Sequence, residues 1–189
     1  MKNILYIDAC VRPCSRTRRL ADELIKRLNG SVTHLVLEEE GLVPLGGAEL
    51  ERRESFIQNE DYSDPMFRLA KLFRDADEIV IAAPYWDMSF PSSLKVFIER
   101  VAVRGLTFTY TDEGTPLGLC RAKRLWYVTT MGGAGLPYDY GYGYIKSLCA
   151  AYYGIKDAKL VCAEGLDIIG NDPEAILSDT VNGLLKGEK

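Results

Sequence analysis

Three stretches of this chain carry side chains suited to gripping a ligand: "CVRPCSRTRR" (10–19), "PYWDMSF" (84–90) and "TTMGGAGLPYDYGYGY" (129–144). In the first, the hydroxyls of Ser15 and Thr17 stand where a helix opens, with Arg12, Arg16 and Arg18 nearby. A helix N-terminus presents unpaired N–H groups and positive partial charge, which suits a phosphate. Ser15 fits a plain N-cap equally well. In the second stretch, Pro84 stiffens a turn. Tyr85, Trp86 and Met88 then offer π faces and a soft thioether to a planar heterocycle. In the third, Gly132 and Gly133 let backbone N–H groups approach a ligand edge. Taken singly, each stretch is explained by a turn and some core packing.

Competing chemistries lack their residues. No G-x-G-x-x-G follows the first apolar run, and no G-x-x-x-x-G-K-[ST] occurs anywhere. A phospho-acceptor site of receiver type needs an acidic pair after the first strand and an Asp ending the third; Asp8 stands alone, and Ala83-Pro84 fill the second place. Of the five cysteines, Cys10 and Cys14 are too far apart for C-x-x-C, and Cys120, Cys149 and Cys162 are scattered. With His34 as the single histidine, no metal set is expected. The cysteines read as small buried hydrophobes, and His34 reads as an ordinary strand residue.

The elements that position these stretches follow from hydrophobic periodicity. Short apolar runs at 3–9, 32–37, 78–83, 124–130 and 158–164 alternate with amphipathic patterns. Leu20, Leu24 and Leu28 share one helical face between Ser15 and Asn29. Asp64-Pro65 opens a second helix with Met66, Leu69, Ala70 and Phe73 inward. Leu94, Phe97, Ile98 and Val101 line a third, beginning near Pro91. A fourth lies in "YGYIKSLCAAYYG", and Asp172-Pro173 opens the last. Continuous apolar strands alternating with such helices predict an α/β fold with a parallel sheet covered on both faces. Residues 41–63 read as a polar surface excursion, and 106–120 as a hairpin. The whole chain, 1–189, reads as one domain.

In an open parallel sheet, ligands sit beyond the carboxyl ends of the strands, where the strand order reverses. The three ligand-gripping stretches follow the first, third and fourth strands. A phosphate cradle, a ring platform and a close-approach loop on neighbouring strand ends fit flavin mononucleotide (FMN). The net charge of −4 argues against a general nucleic-acid binder, and no apolar run is long enough to span a bilayer. The first residues read as a strand rather than a signal peptide, so a cytoplasmic address is expected.

The chain resembles the FMN-dependent NAD(P)H:quinone oxidoreductases and azoreductases of the flavodoxin-like superfold. The resemblance rests on "SRT" (15–17), "PYWDMSFPSSLKVFIERV" (84–101), "GLTFTYTDEGTPLGL" (105–119), "TTMGG" (129–133) and "YYGIKDAKLVCAEGL" (152–166). It implies a flavodoxin-like three-layer sandwich whose five-stranded parallel sheet runs 2-1-3-4-5, with a small hairpin insertion. It also implies bound FMN, NADH or NADPH as electron donor, a small quinone, azo or related acceptor, and a homodimer with the flavin near the interface. Carried over, phosphate contacts fall on Ser15, Arg16 and Thr17. Ring contacts fall on Pro84, Tyr85, Trp86, Asp87 and Met88, and pyrimidine-edge contacts on Thr130, Met131, Gly132 and Gly133. Tyr110, in the hairpin, is expected on the substrate side. The family's ring loop reads Pro-Met-Tyr-Asn-Phe where this chain has Pro-Tyr-Trp-Asp-Met. If Asp87 stands near the flavin, its carboxylate opposes anionic reduced flavin, and Asp87→Asn raises the midpoint potential. Tyrosines 138, 140, 142, 144, 152 and 153 are expected to wall the pocket or a subunit contact. The rival reading is a flavodoxin-type FMN electron carrier that does not itself oxidise pyridine nucleotide.

Overall fold

The computed structural model describes residues 1–184. In chain order the elements are β1 (Asn3–Asp8), α1 (Arg16–Ile25), β2 (Ser31–Val36), α2 (Gly47–Gln58), α3 (Arg68–Asp75), β3 (Glu78–Ala82), α4 (Ser92–Val101), β4 (Phe108–Tyr110), β5 (Pro116–Gly118), β6 (Arg124–Thr130), α5 (Tyr144–Leu148), β7 (Asp157–Ala163) and α6 (Pro173–Leu184). Five strands form one sheet in the order β2-β1-β3-β6-β7, every neighbouring pair parallel. With the β4–β5 hairpin set aside, this is the expected 2-1-3-4-5 order. The hairpin pairs antiparallel across Phe108 and Gly118.

The period of two along each strand divides the core. Leu5, Ile7, Ile79, Ile81, Leu125 and Tyr127 point to one face, where they meet Phe73 of α3, Phe97 of α4 and Ile145 of α5. Ile4, Tyr6, Val80, Trp126 and Val128 point to the other, where Leu20 and Leu24 of α1 and Leu177 of α6 cover them. β3 is buried along its whole length, whereas the edge strand β2 is exposed from Ser31 to His34. Central strands of a parallel sheet have apolar neighbours on both faces, so they read as unbroken apolar runs. Among the described residues no helix is long and apolar enough to cross a membrane.

Two regions differ from the sequence expectation. The 41–63 excursion contains α2, and it is not wholly external: Ile57 is buried, and Phe56 packs edge-on against Phe67 at 6.0 Å. The tyrosine-rich helix is short and is flanked by π-helical turns at Asp139–Gly143 and Cys149–Tyr153.

The hairpin is docked by backbone contact. A Cβ built on Gly118 would lie 2.2 Å from the carbonyl carbon of Tyr153 and from the Gly154 nitrogen. Only glycine lets β5 lie so close to the second π-helical turn. Gly118→Ala is expected to lower stability by about 1–3 kcal/mol, the usual cost of overpacking. Thermal melts of the two proteins check this, and an unchanged midpoint would refute the docking argument.

Candidate functional site

The loops leaving β1, β3, β6 and β7 surround one cavity of about 470 Å³ at the carboxyl edge of the sheet. Its volume falls in the range of small-molecule and cofactor pockets. Ser15, Arg16 and Thr17 line it from the first loop, Pro84, Tyr85 and Trp86 from the second, and Thr130, Met131 and Gly132 from the third. The reversal of strand order between β2-β1 and β3-β6 opens the crevice here, as expected for an open α/β sheet.

The β1–α1 loop makes the polar end. Ser15 is in extended conformation and caps α1, its Oγ accepting the Arg18 N–H at 3.2 Å. A helix's first-turn N–H groups have no partners within the helix. Acidic side chains usually settle there because they complement the dipole. In α1 the first turn has no acidic residue, and arginines occupy positions 16, 18 and 19. Thr17 and Thr130, both buried, share a hydrogen bond at 2.6 Å on the cavity floor. Of the expected cations, Arg16 pairs with Asp167 at 2.7 Å, a partly exposed contact that water screens. Arg18 turns away toward Asp8. Arg12 lines the cavity and makes no ion pair among the described residues.

The β3–α4 loop makes the aromatic wall. Trp86 and Ser89 exchange backbone bonds, Trp86 N–H to Ser89 O at 3.2 Å and Ser89 N–H to Trp86 O at 2.7 Å. The two residues between them have positive φ, 50° at Asp87 and 63° at Met88. This is the geometry of a type I′ turn, which favours Asn-Gly at those places. Asp87 and Met88 therefore stand exposed at the turn's tip and do not line the cavity. A carboxylate exposed to water is strongly screened. The wall is tied to the next loop: the Tyr85 hydroxyl donates to Pro137 O at 2.9 Å, and the Ser89 hydroxyl donates to Tyr140 O at 2.8 Å.

Gly132 lines the cavity, but its close neighbour is Asp167. A Cβ there would lie 2.4 Å from Asp167 Oδ2. Gly133 lies outside the lining, its carbonyl accepting the Gly165 N–H at 2.7 Å. Tyr110 also lies outside it; half exposed, it stands edge-on to Phe108 at 5.5 Å. Its hydrogen bond with Tyr152 holds the Tyr110 phenol above its ordinary pKa.

Sequence reasoning missed Asp167, Leu166, Val11 and Cys14, all of which line the cavity. The first two follow β7, so applying the carboxyl-end rule to the fifth strand as well would have found them. Cys14 is exposed, unlike the buried place expected of it. Burial pushes the thiols of Cys10, Cys120, Cys149 and Cys162 up to about 12. Those four stay protonated at neutral pH and offer no nucleophile.

A family model described as "Flavodoxin-like fold" matches residues 2–186. The chain is 34% identical to FMN-dependent NADH:quinone oxidoreductase 2 of Clostridium acetobutylicum, covering 96% of this chain and 95% of that protein. It is 32% identical to the FMN-dependent NADH:quinone oxidoreductase of Clostridium beijerinckii, covering 96% of each. The crystal structure of an azoreductase from Bacillus anthracis str. Sterne superimposes with a TM-score of 0.82 at 22% identity, covering 98% of both chains.

The strained turn yields a stability prediction. A residue held in the left-handed region costs roughly 1 kcal/mol that glycine does not incur. Met88→Gly is expected to raise stability by about 0.5–1 kcal/mol, read from denaturant midpoints at constant slope. A loss of stability would mean that the Met88 side chain contributes packing that outweighs its strain.

Proposed function

Because this chain belongs to the flavodoxin-like-fold family, we propose that it is an FMN-dependent NADH oxidoreductase whose electrons pass to a quinone or azo acceptor, with FMN seated in the carboxyl-edge cavity. One observation carries the reading: a single cavity joins a helix N-terminus free of acidic residues to an exposed aromatic wall. A phosphorylated ligand with a flat ring system matches both ends at once. The names of the relatives at 34% and 32% identity supply FMN, NADH and quinone.

In this reading Ser15, Arg16 and Thr17, with the α1 N-terminus and Arg12, hold the phosphate. Pro84, Tyr85 and Trp86 flank the ring system, with Asp87 and Met88 at its rim. Thr130, Met131 and Gly132, followed by Gly133, face its polar edge. FMN, when held by these residues, would supply the redox chemistry that links a nicotinamide donor to the acceptor. The chain's own contribution is to orient and to exclude water. The Tyr85–Pro137 and Ser89–Tyr140 bonds hold the aromatic wall against the β6 loop, so the platform does not have to form on binding. No protein acid or base is needed for the hydride step, and the protonated thiols stay out of it.

The proposal extends to four further features. Residues 1–189 form one FMN-binding domain; residues 185–189 lie outside the described residues, and the family match over 2–186 supports the rest. The donor is NADH or NADPH, with NADH favoured by the relatives' names. The protein works as a homodimer with the flavin near the interface. Exposed Trp86, Met88, Leu136 and Tyr140, from loops at this edge, support an apolar contact there; in this reading Tyr110, exposed on the hairpin, is the candidate for the substrate side. The address is cytoplasmic, in keeping with five free cysteines.

The test is spectroscopic. Purified protein reconstituted with FMN is expected to show bound oxidised flavin that bleaches on the turnover timescale with anaerobic NADH and recovers its colour when a quinone is added. A parallel run with NADPH settles the donor. Flavin that binds but resists both nicotinamides would identify an electron carrier instead. Trp86→Ala is expected to weaken FMN about tenfold through lost stacking and apolar contact; unchanged affinity would remove Trp86 from the ring site.

A further inference from the structure

We propose that Asp8 and Arg18 are a positioning pair: a buried carboxylate and a guanidinium fork that hold the β1–α1 loop in its phosphate-binding shape. Neither side chain lines the cavity. The inference rests on the reading of that cavity as an FMN site, and it concerns how this chain presents its phosphate donors.

Asp8 ends β1 and is fully buried. Each of its carboxylate oxygens has a separate partner. Oδ1 accepts the Cys10 N–H at 2.9 Å, the first loop amide beyond Ala9. Oδ2 accepts Arg18 Nε–H at 2.5 Å. The remaining arms of Arg18 reach back over the loop: Nη2 donates to Cys10 O at 2.5 Å, and Nη1 donates to Arg12 O at 3.2 Å. The Arg18 backbone N–H is held by Ser15 Oγ. One side chain on the first turn of α1 thus ties together the strand end, the start of the loop and its middle. From the edge strand, His34 Nε2 stands 3.4 Å from Asp8 Oδ2, and its ring is stacked on Tyr6 at 4.3 Å.

The residues so bracketed are those that face the cavity: Val11, Arg12, Cys14 and Ser15. Loops have many accessible conformations, and ordering one on binding subtracts from affinity. A loop already held by bonds to a buried charge avoids that cost. The Asp8 bond to the Cys10 N–H is buried and the Arg18 bonds to Asp8 and Cys10 O are part-buried and charge-assisted, so these are stronger than surface contacts of the same length, while the bond to Arg12 O is exposed. Lysine has a single point charge on a flexible stem and cannot satisfy three acceptors in one plane. The arrangement therefore requires arginine for its shape as much as for its charge. The pair's effect falls on phosphate recognition, because the aromatic wall belongs to a different loop.

Flavin-stripped full-length protein, Arg18→Lys and Asp8→Asn are titrated with FMN and with riboflavin, which has the same ring system and no phosphate. The unmodified protein is expected to prefer FMN. Both variants are expected to lose about tenfold or more in FMN affinity, as for lost hydrogen bonds to charged groups, with riboflavin affinity little changed. Amide exchange at Val11, Arg12 and Cys14 is expected to quicken in both. If Asp8→Asn does not fold, Arg18→Lys decides alone, since it keeps the buried carboxylate's counter-charge. Full FMN affinity in Arg18→Lys would overturn the proposal by showing that charge suffices. An equal loss for both ligands would overturn it in favour of a general structural role. An unmodified protein that binds riboflavin as tightly as FMN would sink the phosphate-site reading, and this proposal with it, before any variant is measured.

Discussion

A parallel sheet buried on both faces is the constraint from which the rest of this molecule follows. Each strand must return to the same edge before the next begins, so each connection needs a crossover, and crossovers of one hand place their helices predictably. α1 and α6 cover one face; α3, α4 and α5 cover the other. Because β1 lies between β2 and β3, the chain leaves β1 toward one face and β3 toward the other. The loops at those two carboxyl ends part, and a crevice opens between them. The cavity is therefore a consequence of strand order, and its lining is whatever the loop residues happen to be.

The lining is asymmetric in a way that a chain of net charge −4 makes conspicuous. Arginines 12, 16, 18 and 19 crowd the first turn of α1 and the loop before it. Such crowding works against the helix dipole unless anions balance it. Among the described residues, three of the four have ion-pair partners: Asp167 for Arg16, Asp8 for Arg18 and Glu174 for Arg19. Those partners differ in kind. The Arg19–Glu174 and Arg16–Asp167 contacts are exposed and contribute little stability. The Asp8–Arg18 contact is buried on the carboxylate side, where removal of either partner leaves a charge that water cannot reach. So the loop combines one anchor on a buried carboxylate with arginines whose charges face water.

Much of this was legible in the sequence because it is local. Apolar runs mark the strands, the Leu20–Leu24 spacing marks the buried face of α1, and Ser15 marks its start. The strand-end rule then picks out Ser15, Thr17, Pro84, Tyr85, Trp86 and Gly132, and the family resemblance adds Thr130 and Met131; all of them meet at one cavity. The features that escaped depend on distant partners or on backbone torsions. Gly132 looks like a ligand-approach glycine, yet the atom it makes room for belongs to Asp167, thirty-five residues on. Asp87-Met88 has no turn signature, because Asn-Gly is the usual occupant of that geometry and the strain is overcome by the bonds between Trp86 and Ser89. The helix in 41–63 has a weak apolar stripe, and it is held by distant partners: Phe56 meets Phe67 in the turn before α3, and Glu49 and Arg53 reach Arg100 and the Glu99 carbonyl of α4.

Asp8 shows most clearly why local reading stops where it does. By pattern alone it is a lone carboxylate ending an apolar strand, and the sequence offered it only as half of an acidic pair that a different chemistry would need. Its meaning comes from Arg18, which lies one helical turn past Ser15 and reaches back across the loop. A residue that ends a buried strand has no water to solvate it, so its charge must be met by whatever the next element brings. Here the next element brings the same residues that shape the cavity wall. The requirement that a buried charge be paired and the requirement that a binding loop be ordered are thus met by one set of bonds. A mutation that relieves the first by removing the charge also releases the second.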